Sequence, residues 1–118
     1  MENKAEEGSI QKLCKEVTAL FQAELPQDYI AFLKECDGFE FNGHILYGTR
    51  DFVGNNLDWS DCSDEYLYLA EYAIGWFVMK KEDGTFWEPD KPSGEEQEQF
   101  ATAVELIKYA VLHCVQCA

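Results

Sequence analysis

Few residues in this sequence have the types and spacing needed for acid–base or nucleophilic chemistry. Nucleophilic catalysis needs a nucleophile, a base that activates it and a third group that orients the base. The chain has two histidines, His44 beside a predicted turn and His113 near the end of the last predicted helix. Neither stands in a catalytic motif, and we interpret both as solvated or core-edge side chains. The sequence also has no phosphate loop, zinc-protease motif or serine-hydrolase elbow. It therefore predicts no catalytic residue and no enzymatic activity.

The cysteines offer one further motif, a CxxC formed by Cys114 and Cys117 at the end of the chain. A structural zinc site takes four ligands, usually two such pairs, and the other cysteines are isolated singles: Cys14, Cys36 and Cys62. A redox CxxC normally opens a helix below a βαβ unit. We therefore expect no metal and no cofactor. An odd cysteine count without a secretory signal predicts a reducing, cytoplasmic location.

Acidic residues with regular spacing form the second group that could do chemistry. Asp58, Asp61 and Asp64 recur at intervals of three, with Trp59 and Glu65 among them. Calcium loops place their ligands at alternate positions around a glycine, so this spacing does not predict a calcium site. We interpret the five residues as a partner-binding surface in which Trp59 supplies an aromatic anchor. The alternative is a solvated loop with Trp59 capping the core.

The formal net charge of −14 restricts the classes of partner. Residues 51–79 contain six acids and no lysine or arginine, and residues 82–107 contain eight acids and only Lys91. Nucleic acids and anionic membranes both require clusters of basic residues, so neither is an expected partner. A basic protein domain is the expected partner instead. The competing interpretation is that the acidity serves solubility alone.

The length of 118 residues and the hydrophobic content of 47% predict one compact domain. We expect residues 1–8 to be disordered and residues 9–118 to form the domain. The apolar runs are far shorter than the roughly 20 residues that cross a bilayer.

Local patterns in the first half predict two helices followed by a hairpin. Apolar spacing of the helical kind predicts a first helix over residues 10–23. Leu25-Pro26 opens a second helix, which Asp37-Gly38 closes. Asn42-Gly43 lies between two short runs of strand formers, a strong hairpin signal that predicts paired strands at 39–41 and 44–47.

The second half is predicted to contain a loop, three strands and a helix. Residues 48–64 are predicted to be a long acidic loop with at most one helical turn, and strands are predicted at 66–70, 75–81 and 85–88. Trp76 and Phe77 should then point to opposite faces of the sheet. A capping box of Ser93 and Glu96 predicts a last helix over 95–116. The fold class is therefore α+β, an antiparallel sheet of about five to six strands flanked by N-terminal helices and a long C-terminal helix.

Residues 25–38, LPQDYIAFLKECDG, resemble the hallmark opening of the SUKH superfamily, the domain of the yeast cell-wall-synthesis regulators. Members follow this block with a hairpin that carries a glycine and an LYG step. Gly43 and Leu46-Tyr47-Gly48 match that element here. A looser likeness continues to about residue 112. The shared residues read as scaffold, so no site residue is carried over from the family.

The resemblance implies a non-enzymatic interaction domain. Bacterial members look like immunity proteins, which bind and neutralise the toxin encoded beside them. Many of these toxins are nucleases with basic active faces, and an acidic inhibitor would associate rapidly with such a face. The expected partner is thus a cognate, basic toxin domain. The alternatives are a regulatory scaffold domain and a small metal-dependent hydrolase that uses His44 and the acidic loop.

Overall fold

A computed structural model describes residues 4–61 and 63–116, with side chains as far as His113. The architecture is α+β, as predicted, with four helices and one six-stranded antiparallel sheet in the described residues. The elements in chain order are α1 (Glu7–Phe21), α2 (Gln27–Glu35), β1 (Phe39–Phe41), β2 (His44–Leu46), α3 (Phe52–Trp59), β3 (Tyr66–Tyr72), β4 (Gly75–Lys80), β5 (Phe86–Pro89), β6 (Glu96–Phe100) and α4 (Ala103–Gln116).

The sheet is a meander in which each strand pairs with the next one along the chain, in the order β1 to β6. The predicted hairpin between β1 and β2 is confirmed. Asn42 and Gly43 both have positive φ, 53° and 78°, which is the backbone of the tight turn that twisted strands require. Successive strands are therefore neighbours, although β2 and β3 are separated in the chain by α3, so that Ile45 pairs with Glu71.

The two faces of the sheet are covered by different helices. Trp76 packs edge-on against Trp59 of α3, whereas Phe77 contacts Phe100 and Tyr109, which lies on α4. The prediction that Trp76 and Phe77 point to opposite faces is therefore confirmed. The period of two along β4 thus decides which helix each aromatic ring meets.

Helices α1 and α2 supply much of the core on one side of the sheet. Ile10, Leu13, Val17 and Phe21 of α1 are buried, at the spacing of one helical face. In α2, the fully buried Tyr29 places its hydroxyl 2.6 Å from the Tyr47 carbonyl and 2.9 Å from the Leu69 carbonyl. This hydroxyl ties α2 to the residue that follows β2 and to the middle of β3.

Helix α1 begins earlier than its sequence pattern predicts. Its first residue is Glu7, so residues 7 and 8, expected to be frayed, are helical. Just before the helix, the Ala5 amide donates to the Leu33 carbonyl of α2 at 2.8 Å.

The glycines of the 25–48 block have a packing role. Gly38 has a φ of +92°, and a Cβ there would approach the Gly48 nitrogen to 2.9 Å. A Cβ on Gly48 would in turn meet the Asp37 carbonyl oxygen at 2.4 Å. The end of α2 and the end of β2 can approach this closely only because both positions lack side chains.

The predicted loop over residues 48–64 is wrong in its centre, where Phe52–Trp59 forms the two-turn helix α3. Glycine and asparagine depress helix propensity in this segment, which favoured the loop prediction. Burial of Phe52 and Asn56, one helical turn apart, outweighs that local preference.

The predicted last helix also starts in the wrong place. Residues 96–100 form β6, paired with β5, and α4 begins only at Ala103. The capping signature occurs a second time at Thr102 and Glu105. There the Thr102 hydroxyl accepts from the Glu105 amide at 3.2 Å, and the Glu105 carboxylate accepts from the Ala101 amide at 3.3 Å. The Ser93 hydroxyl instead bonds to Asp90 within the β5–β6 turn.

Among the described residues, no helix is both long enough and apolar enough to cross a bilayer. The Cys36 thiol donates to the Gly38 carbonyl at 2.8 Å. The prediction for the Cys114–Cys117 pair lies outside the described side chains.

Candidate functional site

Four of the five predicted site residues lie exposed at one end of α3 and in the segment that leads to β3. Asp58 is in the last turn of α3, Asp61 follows the helix, and Asp64 and Glu65 come just before β3. Each of the four side chains is exposed, and all four lie within residues 58–65. We call Asp58, Asp61, Asp64 and Glu65 the acidic surface.

Most carboxylates of the acidic surface have no ion pair among residues 4–61 and 63–113. Within the described part of the chain, only Asp64 forms an ion pair, with Lys81 at 3.3 Å, and its side chain is still 91% exposed. Asp58, Asp61 and Glu65 form no ion pair with any residue that the structure describes. The charge of this surface is consequently open to solvent and to any approaching cation.

The position of two of these acids opposes the helix dipole. The C-terminal end of a helix carries partial negative charge, so acids near it are unfavourable and bases are favourable. Asp58 and Asp61 lie at this end of α3, and its last turn contains no basic residue. The arrangement destabilises α3 slightly, so it is not explained by the stability of the fold.

Trp59, the fifth predicted residue, faces the interior. Its indole N–H donates to the Tyr47 hydroxyl at 2.8 Å, and its ring packs edge-on against Trp76 with centroids 5.3 Å apart. In contrast, Leu57 is 50% exposed beside Asp58. Leu57 is therefore the apolar residue available next to the acids. The loop prediction concealed it, because Leu57 is outward-facing only once residues 52–59 are helical.

Asn56 attaches α3 to the sheet. Its side-chain amide donates to the Tyr68 carbonyl at 2.8 Å, and its side-chain oxygen accepts from the Tyr68 amide at 2.7 Å. Strand β2 pairs only with the other end of β3, at Ala70 and Glu71. The Asn56 side chain thus replaces a neighbouring strand at this edge and fixes the position of the acidic surface.

A charged residue from the β5–β6 turn completes the support of α3. The Lys91 ammonium lies 3.3 Å from the Glu71 carboxylate, 5.1 Å from the Trp59 ring centroid and 5.8 Å from that of Trp76. We call Lys91, Glu71, Trp59 and Trp76 the lysine clamp. Burial, and next the Glu71 charge, raise the pKa of Tyr47 well above the ordinary tyrosine value. The tyrosine therefore stays protonated beside the clamp.

The two histidines, 69 positions apart in the chain, meet where α4 packs on β2. His44 Nε2 is 2.9 Å from His113 Nδ1, and His44 Nδ1 is 3.2 Å from the Asn42 carbonyl. A carbonyl only accepts, so Nδ1 of neutral His44 carries the proton, and His113 Nδ1–H donates to His44 Nε2. Both ring nitrogens of His44 are thus engaged. The sequence had no signal for this pairing.

A tyrosine and a buried glutamate next to the histidines are also fixed by contacts within the fold. The His44 ring stacks on Tyr72, whose hydroxyl donates to the buried Glu88 carboxylate at 2.5 Å. Burial, followed by this hydrogen bond, raises the pKa of Tyr72 well above its ordinary value. In the described part of the chain, no three histidine, cysteine or acidic side chains are grouped to hold a metal ion.

Several basic residues lie elsewhere, around an open groove of about 830 Å³ between α1 and the start of α3. Lys4, Lys12 and Arg50 line it together with acidic side chains. The groove mixes both signs of charge, and at one edge of the acidic surface Lys80 and Lys81 line a smaller groove together with Asp64 and Glu65.

No protein-family model matches the chain. The chain is similar to the uncharacterized protein YrhA of Escherichia coli (strain K12), at 32% identity over 83 aligned residues. The match covers 58% of this chain and spans 59% of the length of YrhA. The name of that relative specifies no activity, so the similarity bears on ancestry alone.

Proposed function

We propose that this protein is a non-enzymatic, cytoplasmic binding protein whose acidic surface docks a basic partner domain. The observation that carries the proposal is the placement of Asp58 and Asp61 at the end of a helix that their charge destabilises, with no ion pair to any described residue. Charge that opposes folding is accounted for by a partner that neutralises it. Acidity for solubility alone would be served equally well at positions that favour the helix.

The partner we propose is a cognate toxin domain, which makes the protein an immunity protein. The support is the resemblance of residues 25–48 to the SUKH superfamily together with the acidic surface. A regulatory scaffold domain would use the same surface with another partner. The hydrolase alternative has less support, because both ring nitrogens of His44 are engaged by Asn42 and His113.

Leu57 gives the surface an apolar anchor among its charges. Interfaces derive much of their affinity from a few apolar or aromatic residues surrounded by polar ones, while charge mainly speeds association. Leu57 is half exposed. A Cβ atom placed on Gly54, one helical turn earlier, would have no neighbouring atom within 4 Å, so this face of α3 is unobstructed. The fitting partner has an apolar patch bordered by lysine and arginine.

The test is a charge reversal with a matched control. The partner is the C-terminal domain of the secreted protein encoded by the gene immediately upstream, and association is followed by stopped-flow fluorescence. We expect Asp58→Lys, Asp61→Lys and Asp64→Lys together to slow association at least a hundredfold. Raising salt from about 0.05 to 0.5 M should slow wild-type association strongly, because the screening length falls several-fold.

The control variant reverses three exposed acids outside the acidic surface, Glu24→Lys, Glu35→Lys and Glu40→Lys. It changes the net charge equally, so it removes any effect of overall charge. Its association should be at least tenfold faster than that of the first variant. Equal rates for both variants, with native circular dichroism, would contradict docking at the acidic surface. Failure of the wild type to bind would contradict the identity of the partner.

A further inference from the structure

The lysine clamp has the composition of a receptor for a positively charged side chain. The rings of Trp59 and Trp76 lie at 71° to one another, and the Glu71 carboxylate stands beside them. Aromatic faces attract cations through their quadrupoles, and an adjacent carboxylate adds direct charge attraction. Lys91 shows that an ammonium group fits there, at 5.1 and 5.8 Å from the ring centroids.

Lys91 is held in a way that permits exchange. Its side chain is 23% exposed and that of Glu71 is 15% exposed, so neither charge is sealed from water. Lys91 begins a surface turn in which the next four residues are exposed. Because both side chains are mostly buried, moving Lys91 away leaves the Glu71 carboxylate uncompensated until another cation takes its place, so an incoming cation is what makes the exchange favourable.

The surroundings attract a second cation even while Lys91 is in place. Trp59 directly follows Asp58, whose carboxylate has no ion pair within the described residues. Lys91 is also the only basic residue between positions 82 and 107. One ammonium therefore leaves this segment, which contains eight acids, with excess negative charge.

We infer that the lysine clamp is a binding site for a lysine or arginine side chain of the partner, with Lys91 as the internal occupant that the incoming cation replaces. The exchange conserves the charge of the site, because one cation leaves the Glu71 carboxylate as another arrives. That the incoming group belongs to a partner protein rests on the proposed docking function. The capacity of the clamp to bind an external cation does not, and it is tested without any partner.

A second cluster in the same chain provides the control. The Lys80 ammonium lies 5.0 Å from the centroid of the Trp87 ring and 2.9 Å from the Glu96 carboxylate. This cluster therefore combines a lysine, an acid and one aromatic ring, whereas the lysine clamp has two aromatic rings. Removing Lys80 changes the net charge as removing Lys91 does but leaves the clamp occupied.

The experiment titrates wild type, Lys91→Ala, Lys80→Ala and the double variant Lys91→Ala with Glu71→Gln. The probe is N-acetyl-lysine N-methylamide. The norleucine analogue, which lacks the ammonium charge, is the control compound. The readout is the set of three indole N–H signals in a nitrogen-15 correlation spectrum, assigned by single Trp→Phe variants. If Lys91→Ala loses the native spectrum, Lys91→Gln replaces it, because it retains a polar stem without the charge.

We expect saturable shifts of the Trp59 and Trp76 signals in Lys91→Ala, with affinity at least tenfold higher than in wild type or Lys80→Ala. The double variant and the neutral analogue should give no saturation. The inference is overturned if the folded Lys91 variant binds no more tightly than Lys80→Ala, or if the analogue binds as well as the probe. If the probe binds but the toxin domain does not, the lysine clamp is supported as a cation-binding site and the proposed immunity function is contradicted.

Discussion

At the scale of single residues, Asn56 is the side chain that holds α3 against the sheet. It is 2% exposed and hydrogen-bonds to both the amide and the carbonyl of Tyr68 at a buried edge of the sheet. An unpaired buried donor or acceptor costs more free energy than a hydrogen bond returns. The position therefore combines a packing role with the alignment of the acidic surface.

Replacing Asn56 with alanine should lower the free energy of unfolding by about 2–4 kcal/mol, because two buried backbone groups of Tyr68 each lose a hydrogen bond to its side chain. Asn56→Asp should also destabilise, since a carboxylate can accept from the Tyr68 amide but cannot donate to its carbonyl. Urea denaturation measures both effects. Asn55→Ala is the control. An equally large loss of unfolding free energy in that variant would show that the effect comes from any substitution in α3 and not from the Asn56 hydrogen bonds.

At the scale of elements, the charges of α3 and α2 have opposite relations to their helix ends. Asp58 lies in the last turn of α3, where it is unfavourable, whereas Asp28 lies in the first turn of α2, where it is favourable. The same residue type should therefore contribute with opposite sign at the two positions.

Asp58→Asn and Asp61→Asn should each raise the free energy of unfolding by about 0.3–1 kcal/mol at low salt, because the negative charge leaves the negative helix end. The same changes should slow association with the partner. Asp28→Asn should lower stability by a similar amount. Thermal unfolding at low and high salt measures all three. The dipole argument would be refuted if Asp28→Asn raised the free energy of unfolding. It would also be refuted if Asp58→Asn and Asp61→Asn lowered it.

At the scale of the whole molecule, four of the six tyrosines have environments that favour the protonated form. Burial is the largest cause for each, and it raises the pKa values of Tyr29, Tyr47, Tyr66 and Tyr72 well above the ordinary value of about 10. Carboxylates next to Tyr66 and Tyr72 add to the effect.

The native protein should therefore lose stability as pH rises above about 10. The unfolded chain releases its tyrosine protons from that pH upward, while the folded chain retains four of them, so unfolding becomes progressively favoured. Absorbance at 295 nm should show at most two of the six tyrosines ionising near pH 10 in the native state, and all six in urea. Four or more ionising near pH 10 in the native protein would contradict the burial argument.

Interactions between residues close in the chain determined what could be predicted from the sequence alone. The β1–β2 hairpin is one example, since Asn42 and Gly43 tolerate the positive φ that its turn requires. The apolar spacing of α1 and the period of two in β4 are others. The position of the exposed acids at 58, 61, 64 and 65 also followed from local composition.

The tertiary structure alone decided three further features. Pairing with β5 made residues 96–100 a strand, although the capping signature of Ser93 and Glu96 favours a helix there. Burial of Asn56 against Tyr68 made α3 a helix and turned Trp59 inward. The contacts of Lys91 with Glu71 and of His44 with His113 join residues 20 and 69 positions apart. Such contacts leave no local pattern, because their free energy arises only after the sheet has brought the partners together.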